Sequence, residues 1–294
     1  GMAALAMVGL TTGGILNMVL DPIFIFALDM GITGAGLATA VSQYISFGIL
    51  ISIFLAKKTQ SRLSFRYISK KFDTIGNIIV TGAPSFVRQG LSSVSTMVLN
   101  LQAKAFGDAA IAAMGYVGRT SALIFSVGLG IGQGFQPVAG FNWGAKRYDR
   151  VAQSYKFSSI TALIGGAAMG IGLAIFADPI IVLFAGADPE MRSIGAICMW
   201  TQCLALPLHA WVAMVNMYCV ALGNAKGAMA LATARQGSCF LPILHLLAFL
   251  FGAYGVASVQ AIADLLSLAL AFPIIFSMKK KVRAALEAQA ALVE

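Results

Sequence analysis

Three polar side chains near the start of the chain have the types and spacing of a small cation site. Asn17 and Asp21 are four residues apart, so they share one face of a helix. Thr39 follows the turn at residues 29–31 at about the distance by which Asp21 precedes it, which places both side chains roughly 10 Å below that turn on two antiparallel helices. A carboxylate, an amide oxygen and a hydroxyl together suit a proton or a small hard cation. A local hydrogen bond of Asp21 beside Pro22 is the alternative.

A second group of polar side chains lies inside long apolar segments, where charge is expensive and commonly functional. The candidates for a substrate path or an intramembrane polar network are Arg88, Gln89, Arg119, Gln202, His209 and Asp264. We expect Arg88 to pair with Asp264, because an unpaired buried charge is costly, and contact of Arg88 with an anionic substrate group is the alternative. Arg119 is expected to extend toward the membrane surface. His209 fits a hydrogen-bonded structural role or a proton relay.

The pattern of reactive residues does not favour an enzyme or a metalloprotein. Paired aspartates and the motifs HExxH and GxSxG do not occur, so no catalytic residues are assigned. The four cysteines lie in apolar stretches without a CxxC pair, which indicates neither a metal site nor a disulfide framework. An intramembrane enzyme is therefore only a distant alternative.

The elements that must position these side chains are membrane-spanning helices. The chain has 294 residues, of which 59% are hydrophobic and 11% charged, and too few charged side chains are available to cover a soluble core. Its apolar stretches approach or exceed the roughly 20 residues that a helix needs to cross the hydrocarbon core. The sequence predicts an all-α polytopic membrane protein with eight spans at residues 4–28, 33–56, 75–100, 109–138, 157–183, 193–221, 228–251 and 255–278.

The basic residues predict the orientation of these spans. Most of the 20 Lys and Arg residues fall in or beside the connections 57–74, 140–156 and 222–227 and in the tail 279–294. Lys226 and Arg235 are the ones assigned to the third connection. With eight spans these segments share one side, and the positive-inside rule assigns that side, including the C-terminus, to the cytoplasm. This anchoring accounts for nearly all of the net charge of +9, so no nucleic-acid partner is expected.

The connection after the fourth predicted span carries the most specific motif. Residues 133–148 read QGFQPVAGFNWGAKRY, with Gln136, Pro137, Gly140, Phe141, Asn142 and Gly144 as its signature positions. Pro137 is expected to end the helix, because proline lacks an N–H and clashes one turn back. The glycines and Asn142 suit a tight turn. We interpret the motif as a structural elbow between a span and a loop.

This motif resembles the signature of the multidrug and toxic compound extrusion (MATE) family. Residues 17–26, NMVLDPIFIF, look like the fifth span of that family, and residues 221–227, ALGNAKG, look like its connection between spans ten and eleven. The resemblance implies spans five to twelve of a twelve-span antiporter, with the first four spans absent. Residues 1–56 would be the last two helices of the N-lobe, 57–74 a cytoplasmic linker between the lobes, 75–278 a six-helix C-lobe and 279–294 a cytoplasmic tail. It also implies that Asn17, Asp21 and Thr39 belong to the cation site of the N-lobe.

The resemblance leads to a functional expectation. The protein would be a monomeric multi-pass antiporter of the cell membrane that uses H⁺ or Na⁺ as coupling ion and no other cofactor. Its partners would be the lipid bilayer and small amphipathic, mostly cationic drugs and toxins, which it would export. A flippase for lipid-linked precursors, from the same superfamily, is the alternative, because Arg88 and Arg119 would suit an anionic substrate.

Overall fold

A computed structural model describes residues 3–56, 72–186 and 188–291. Helices account for the secondary structure of these residues, and no strand occurs among them, which confirms the all-α class. The chain divides into two compact units, residues 1–71 (the first unit) and residues 72–294 (the second unit). The linker predicted at 57–74 lies mostly outside the described residues.

The first unit is an antiparallel helical hairpin. Helix α1 (Ala3–Pro22) continues through a π-helical turn (Ile23–Ala27), and α2 (Gly31–Leu55) follows. Small residues bring the two backbones together, since a Cβ at Gly13 would lie 2.8 Å from the Cβ of Ser46. The hydroxyl of Ser46 also donates to the carbonyl of Gly9 at 2.9 Å. These contacts fix the rotation of each helix, and therefore the face that carries Asn17, Asp21 and Thr39.

The second unit is built around one central helix. Its elements are α3 (Phe72–Lys104), α4 (Asp108–Gly144), α5 (Tyr148–Ile175), α6 (Ala177–Ala185), α7 (Pro189–Ala221), α8 (Ala225–Thr233), a π-helical turn (Ala234–Ser238) and α9 (Phe240–Ala290). Helix α7 packs against α4, α5 and α9 and is buried along much of its length. Gly166 and Gly170 of α5 lie directly against the backbone of α7, where added Cβ atoms would be 2.9 Å from the Cα of Pro207 and 2.7 Å from the carbonyl oxygen of Cys203.

The helix end predicted at Pro137 is wrong. Helix α4 continues past Pro137 to Gly144, and α5 begins at Tyr148, so the connection predicted at 140–156 is mostly helical. A proline inside a membrane helix is tolerated when neighbouring groups satisfy the freed carbonyl. The chain turns instead at Lys146, whose φ of 57° is left-handed, and the amide of Arg147 donates to the carbonyl of Asn142 at 2.8 Å. This is the 6→1 hydrogen bond of a Schellman motif, and the amide of Lys146 makes the accompanying 5→2 bond to the carbonyl of Trp143 at 3.1 Å.

The number of spans stays a prediction. In the part of the chain that the structure describes, six helices are long and apolar enough to cross a membrane. The last of them, Ala225–Ala290, is interrupted at Gly252 (φ 59°, ψ −138°), where the sequence predicts the connection between two spans. Helix α3, which contains the predicted span 75–100, is not among the six. The predicted span 157–183 is interrupted at Phe176, between α5 and α6.

Candidate functional site

The structure brings Asn17, Asp21 and Thr39 together in the first unit. The amide Nδ2 of Asn17 donates to Asp21 Oδ1 at 3.4 Å and to Thr39 Oγ1 at 3.3 Å. The Thr39 hydroxyl donates in turn to the carbonyl of Ala35 at 3.0 Å, one turn earlier in α2. The predicted proximity across the hairpin is therefore present, and the side chain of Asp21 bonds to Asn17 rather than to a backbone amide beside Pro22.

The arrangement of these three residues is suited to exchanging a positive ion. Asp21 and Asn17 are half-buried, whereas Thr39 is exposed, so the carboxylate can be reached from one side. In the structure the Asn17 amide donates N–H groups to Oδ1 of Asp21 and to Oγ1 of Thr39. The hydrogen bond to Asp21 stabilises the charged form of this carboxylate. A rotation of this amide about its terminal torsion would replace the N–H groups by its carbonyl oxygen and complete an oxygen ligand set.

The second unit contains a buried cluster of Asp264, Arg235 and His209. Asp264 is 1% exposed, and its Oδ1 accepts a hydrogen bond from Arg235 Nε at 2.6 Å. Nη2 of Arg235 lies 2.9 Å from Nδ1 of His209, and that nitrogen is 3.7 Å from Oδ2 of Asp264. The ring of Phe125 stacks on His209 with the centroids 3.8 Å apart, and the guanidinium carbon of Arg235 lies 5.6 Å from the same ring. Four elements, α4, α7, α9 and the second π-helical turn, thus surround one ion pair.

The predicted pairing of Arg88 with Asp264 is wrong. Arg235 is the partner, and in the described part of the chain no ion pair joins Arg88 to Asp264. Arg235 flanks a predicted cytoplasmic connection, but it lies inside the predicted span 228–251. That position within an apolar segment is the signal that would have identified it.

The remaining predicted site residues do not form one network. Arg88 and Gln202 are half-buried, and Gln89 and Arg119 are exposed. Among the residues that the structure covers, no hydrogen bond or ion pair joins these four to one another or to His209.

The signature residues form the C-terminal end of α4. Gln136, Gly140 and Asn142 are half-buried, while Pro137, Phe141 and Gly144 are exposed. The amide Nδ2 of Asn142 donates to the carbonyl of Val138 at 2.8 Å. A Cβ at Gly140 would be 3.6 Å from the carbonyl oxygen of Ala221 in α7. The chain turns at Lys146, beyond the position expected from Pro137, and the structural interpretation of the motif stays a prediction.

A comparison with protein-family profiles identifies the family of this chain. The profile of the MatE family matches residues 84–243, which is more than half of the chain. The chain belongs to the MATE family. The resemblance inferred from residues 133–148 is thereby confirmed.

Curated relatives of this MATE chain are export proteins. The multidrug export protein MepA of Staphylococcus haemolyticus is 26% identical over 283 residues, which cover 96% of this chain and 62% of that protein. MepA of Staphylococcus saprophyticus is 25% identical over 281 residues with the same coverage. The chain therefore spans somewhat less than two thirds of the length of these relatives.

Solved structures show the same fold. The Vibrio cholerae MATE transporter VcmN in the bent form superimposes with a TM-score of 0.76 at 21% identity, covering 96% of this chain and 63% of that chain. A MOP superfamily transporter from Pyrococcus furiosus superimposes with a TM-score of 0.82 at 21% identity, covering 95% and 62%. The MATE chain is thus an all-α, multi-pass membrane protein whose named relatives are transporters rather than enzymes.

Proposed function

We propose that the protein is a cation-coupled antiporter that exports amphipathic, mostly cationic compounds across the cell membrane. Membership of the MATE family and the names of the MepA relatives support the transport of small molecules. The observation that carries the coupling is the cluster of Asn17, Asp21 and Thr39, in which a carboxylate meets a hydroxyl and an amide from two helices.

Asp21 would alternate between two states in this mechanism. In a membrane the charge of a carboxylate must be balanced by a proton or a bound cation. Asn17 and Thr39 would complete the ligand set while the ion is bound. When the ion leaves, the Asn17 amide would donate to the charged carboxylate, as it does in the structure. Binding of the ion and of the exported compound would then exclude each other.

The proposed layout follows the two units. Residues 1–56 would form the end of an N-lobe, 57–74 a cytoplasmic linker, 75–278 a C-lobe and 279–294 a cytoplasmic tail. The protein would act as a monomer in the cell membrane, with H⁺ or Na⁺ as its coupling ion and no other cofactor.

A flippase for lipid-linked precursors remains the second candidate. Arg88 is half-buried and does not pair with Asp264, so it stays available for an anionic headgroup. The discriminating experiment reconstitutes the full-length protein in liposomes and measures both dye efflux under an imposed pH or Na⁺ gradient and lipid translocation. The antiporter proposal expects gradient-driven efflux of a cationic dye and no lipid translocation. Lipid translocation without dye efflux would overturn it in favour of the flippase.

A further inference from the structure

The buried cluster around Asp264 contains an unused acceptor. Oδ1 of Asp264 accepts from Arg235, whereas Oδ2 is buried and has no hydrogen-bond partner among the described residues. Unpaired buried oxygen atoms of a carboxylate are rare, because each loses its hydration without compensation. Two candidate donors adjoin this carboxylate: the buried Nε2 of Gln260, which also has no hydrogen-bond partner among the described residues, and His209, whose Nδ1 lies 3.7 Å from Oδ2.

The geometry fixes the protonation state of His209 in this structure. A guanidinium group has donors only, so the 2.9 Å contact requires that Arg235 Nη2 donates and that His209 Nδ1 accepts. The imidazole is therefore neutral, and its proton is on Nε2. A proton added at Nδ1 would place two donors 2.9 Å apart, and the same new N–H would lie within a small side-chain movement of Asp264 Oδ2.

We propose that His209 is a proton-binding site. When it binds a proton, the carboxylate of Asp264 exchanges its ion pair with Arg235 for an ion pair with His209. The proton adds to Nδ1 of His209 and the new N–H bonds to Oδ2 of Asp264. The hydrogen bonds of Arg235 to Nδ1 of His209 and to Oδ1 of Asp264 both break. No covalent bond other than N–H forms. The displaced guanidinium has a route out, because the side chain of Arg235 is 18% exposed whereas those of His209 and Asp264 are 8% and 1% exposed.

The groups around His209 leave no other charge to compete. Helix α4 presents the phenyl ring of Phe125, and α9 presents Asp264 together with the neutral Gln260. Helix α5 meets α7 beside His209 through Gly166, and α8 meets α7 two turns further along, where Asn216 donates to the carbonyl of Ala228. The single acid of α6, Asp178, is exposed. Arg235, from the π-helical turn, is the one described cation in contact with the imidazole.

The element that holds Arg235 is suited to move. Residues 234–238 form a π-helical turn, a local insertion that is frequent at functional positions of helices. This turn contacts α3, since Ser95 Oγ donates to the carbonyl of Gln236 and a Cβ at Gly237 would be 3.2 Å from Leu91. A shift of Arg235 would therefore change the contacts between this turn and α3.

The inference deepens the proposed function, because it assigns the proton as an ion bound by the second unit, but its test measures binding without transport. The chain has two histidines, His209 and His245, and His245 is exposed. The 294-residue chain, labelled with ¹⁵N-histidine and held in lipid nanodiscs, would be titrated from pH 8.5 to pH 4.5 by NMR, with His245→Gln to assign the signals.

The expected result is that His209 starts with its proton on Nε2 and gains a second proton on Nδ1 within this range. In Asp264→Asn the midpoint should fall by at least one pH unit, because the imidazolium loses its anionic partner. In Arg235→Gln it should rise, because a competing cation is gone, and this variant decides the matter if Asp264→Asn does not fold. His245→Gln should leave the midpoint of His209 unchanged.

Two results would overturn the proposal. One is a His209 that stays neutral across the whole range in the wild type. The other is a midpoint that Arg235→Gln does not raise. Both are independent of efflux, so an antiporter that is inactive in liposomes leaves this test intact, and a titrating His209 leaves the antiporter proposal to its own experiment.

Discussion

At the residue scale, Asp264 and Arg235 form the most buried ion pair that the structure describes. Removing one partner of such a pair leaves an uncompensated charge in a low-dielectric site, whereas removing both leaves a cavity without a charge. Arg283 and Glu287, one turn apart on α9, form an exposed ion pair. This pair is a suitable control, because solvent-exposed ion pairs contribute little to stability.

We therefore expect strong non-additivity for the buried pair. Asp264→Ala and Arg235→Ala should each lower the free energy of unfolding by about 3 kcal/mol, and the double variant should cost clearly less than the sum. Thermal unfolding of the purified protein in detergent measures all three. Arg283→Ala with Glu287→Ala should show a coupling of at most about 0.5 kcal/mol, and Arg88→Ala should be additive with Asp264→Ala. Strict additivity of the Arg235 and Asp264 variants would show that the pair is not formed.

At the element scale, close packing of α5 on α7 depends on positions without a side chain. Gly166 and Gly170 are one turn apart on α5, a spacing that favours close helix packing, and the structure places both against the α7 backbone. Gly128 and Gly132 of α4 also face α7, at Ala210 and Met217. Gly130 and Gly134, which alternate with them in the sequence, have no neighbour within 4 Å of an added Cβ, so of these two pairs only Gly128 and Gly132 pack closely.

Alanine substitutions should separate these two groups of glycines. Gly166→Ala forces an atom toward the Cα of Pro207, a backbone atom that cannot rotate away, and should destabilise the protein by about 1–3 kcal/mol. Gly130→Ala meets open space and gains helix propensity, so it should be neutral or stabilising by up to about 1 kcal/mol. Melting temperatures in one detergent compare them directly. Equal losses in both variants would contradict the packing that the structure shows.

The helices themselves were largely predictable, and their ends less so. Gly107, Gly223 and Gly252 have positive φ angles at or next to predicted connections, because glycine adopts that conformation without a steric penalty. Pro137 does not end α4, since a proline costs a helix only one hydrogen bond when the rest of the helix is held by its neighbours. The turn at Lys146 could not be foreseen, because a lysine rarely adopts a positive φ.

At the scale of the whole molecule, contacts within one hairpin were predictable and contacts between distant helices were not. Asn17, Asp21 and Thr39 lie on two consecutive helices, so their depth follows from counting residues from the turn. His209, Arg235 and Asp264 belong to three helices whose mutual rotation depends on the packing of the complete unit. Depth alone could not tell Arg88 from Arg235 as the partner of Asp264.

The orientation of the molecule is also a testable prediction. In a variant without the four native cysteines, a cysteine at Gln289 should react with a membrane-impermeant maleimide only after the cells are permeabilised, because the basic residues from Lys279 to Arg283 place the tail in the cytoplasm. A cysteine at Glu190, which is exposed and lies in a predicted outer connection, should react in intact cells. The reverse labelling pattern would refute the assigned orientation.

The central claim is that the carboxylate of Asp21 couples ion entry to export, and one substitution tests it most directly. Asp21→Asn keeps the shape of the side chain and its hydrogen bonding but removes its charge and its titration. The matched control is Asp29→Asn, at an exposed acid of the same hairpin whose φ of 50° asparagine also tolerates. The measurement is dye efflux by the full-length protein in liposomes under an imposed pH or Na⁺ gradient, with dye binding measured in parallel. We expect Asp21→Asn to insert normally, to bind the dye and to lose gradient-driven efflux at least tenfold, while Asp29→Asn behaves as the wild type. Gradient-driven efflux at the wild-type rate in Asp21→Asn would contradict the account and reduce this aspartate to a structural residue beside Pro22.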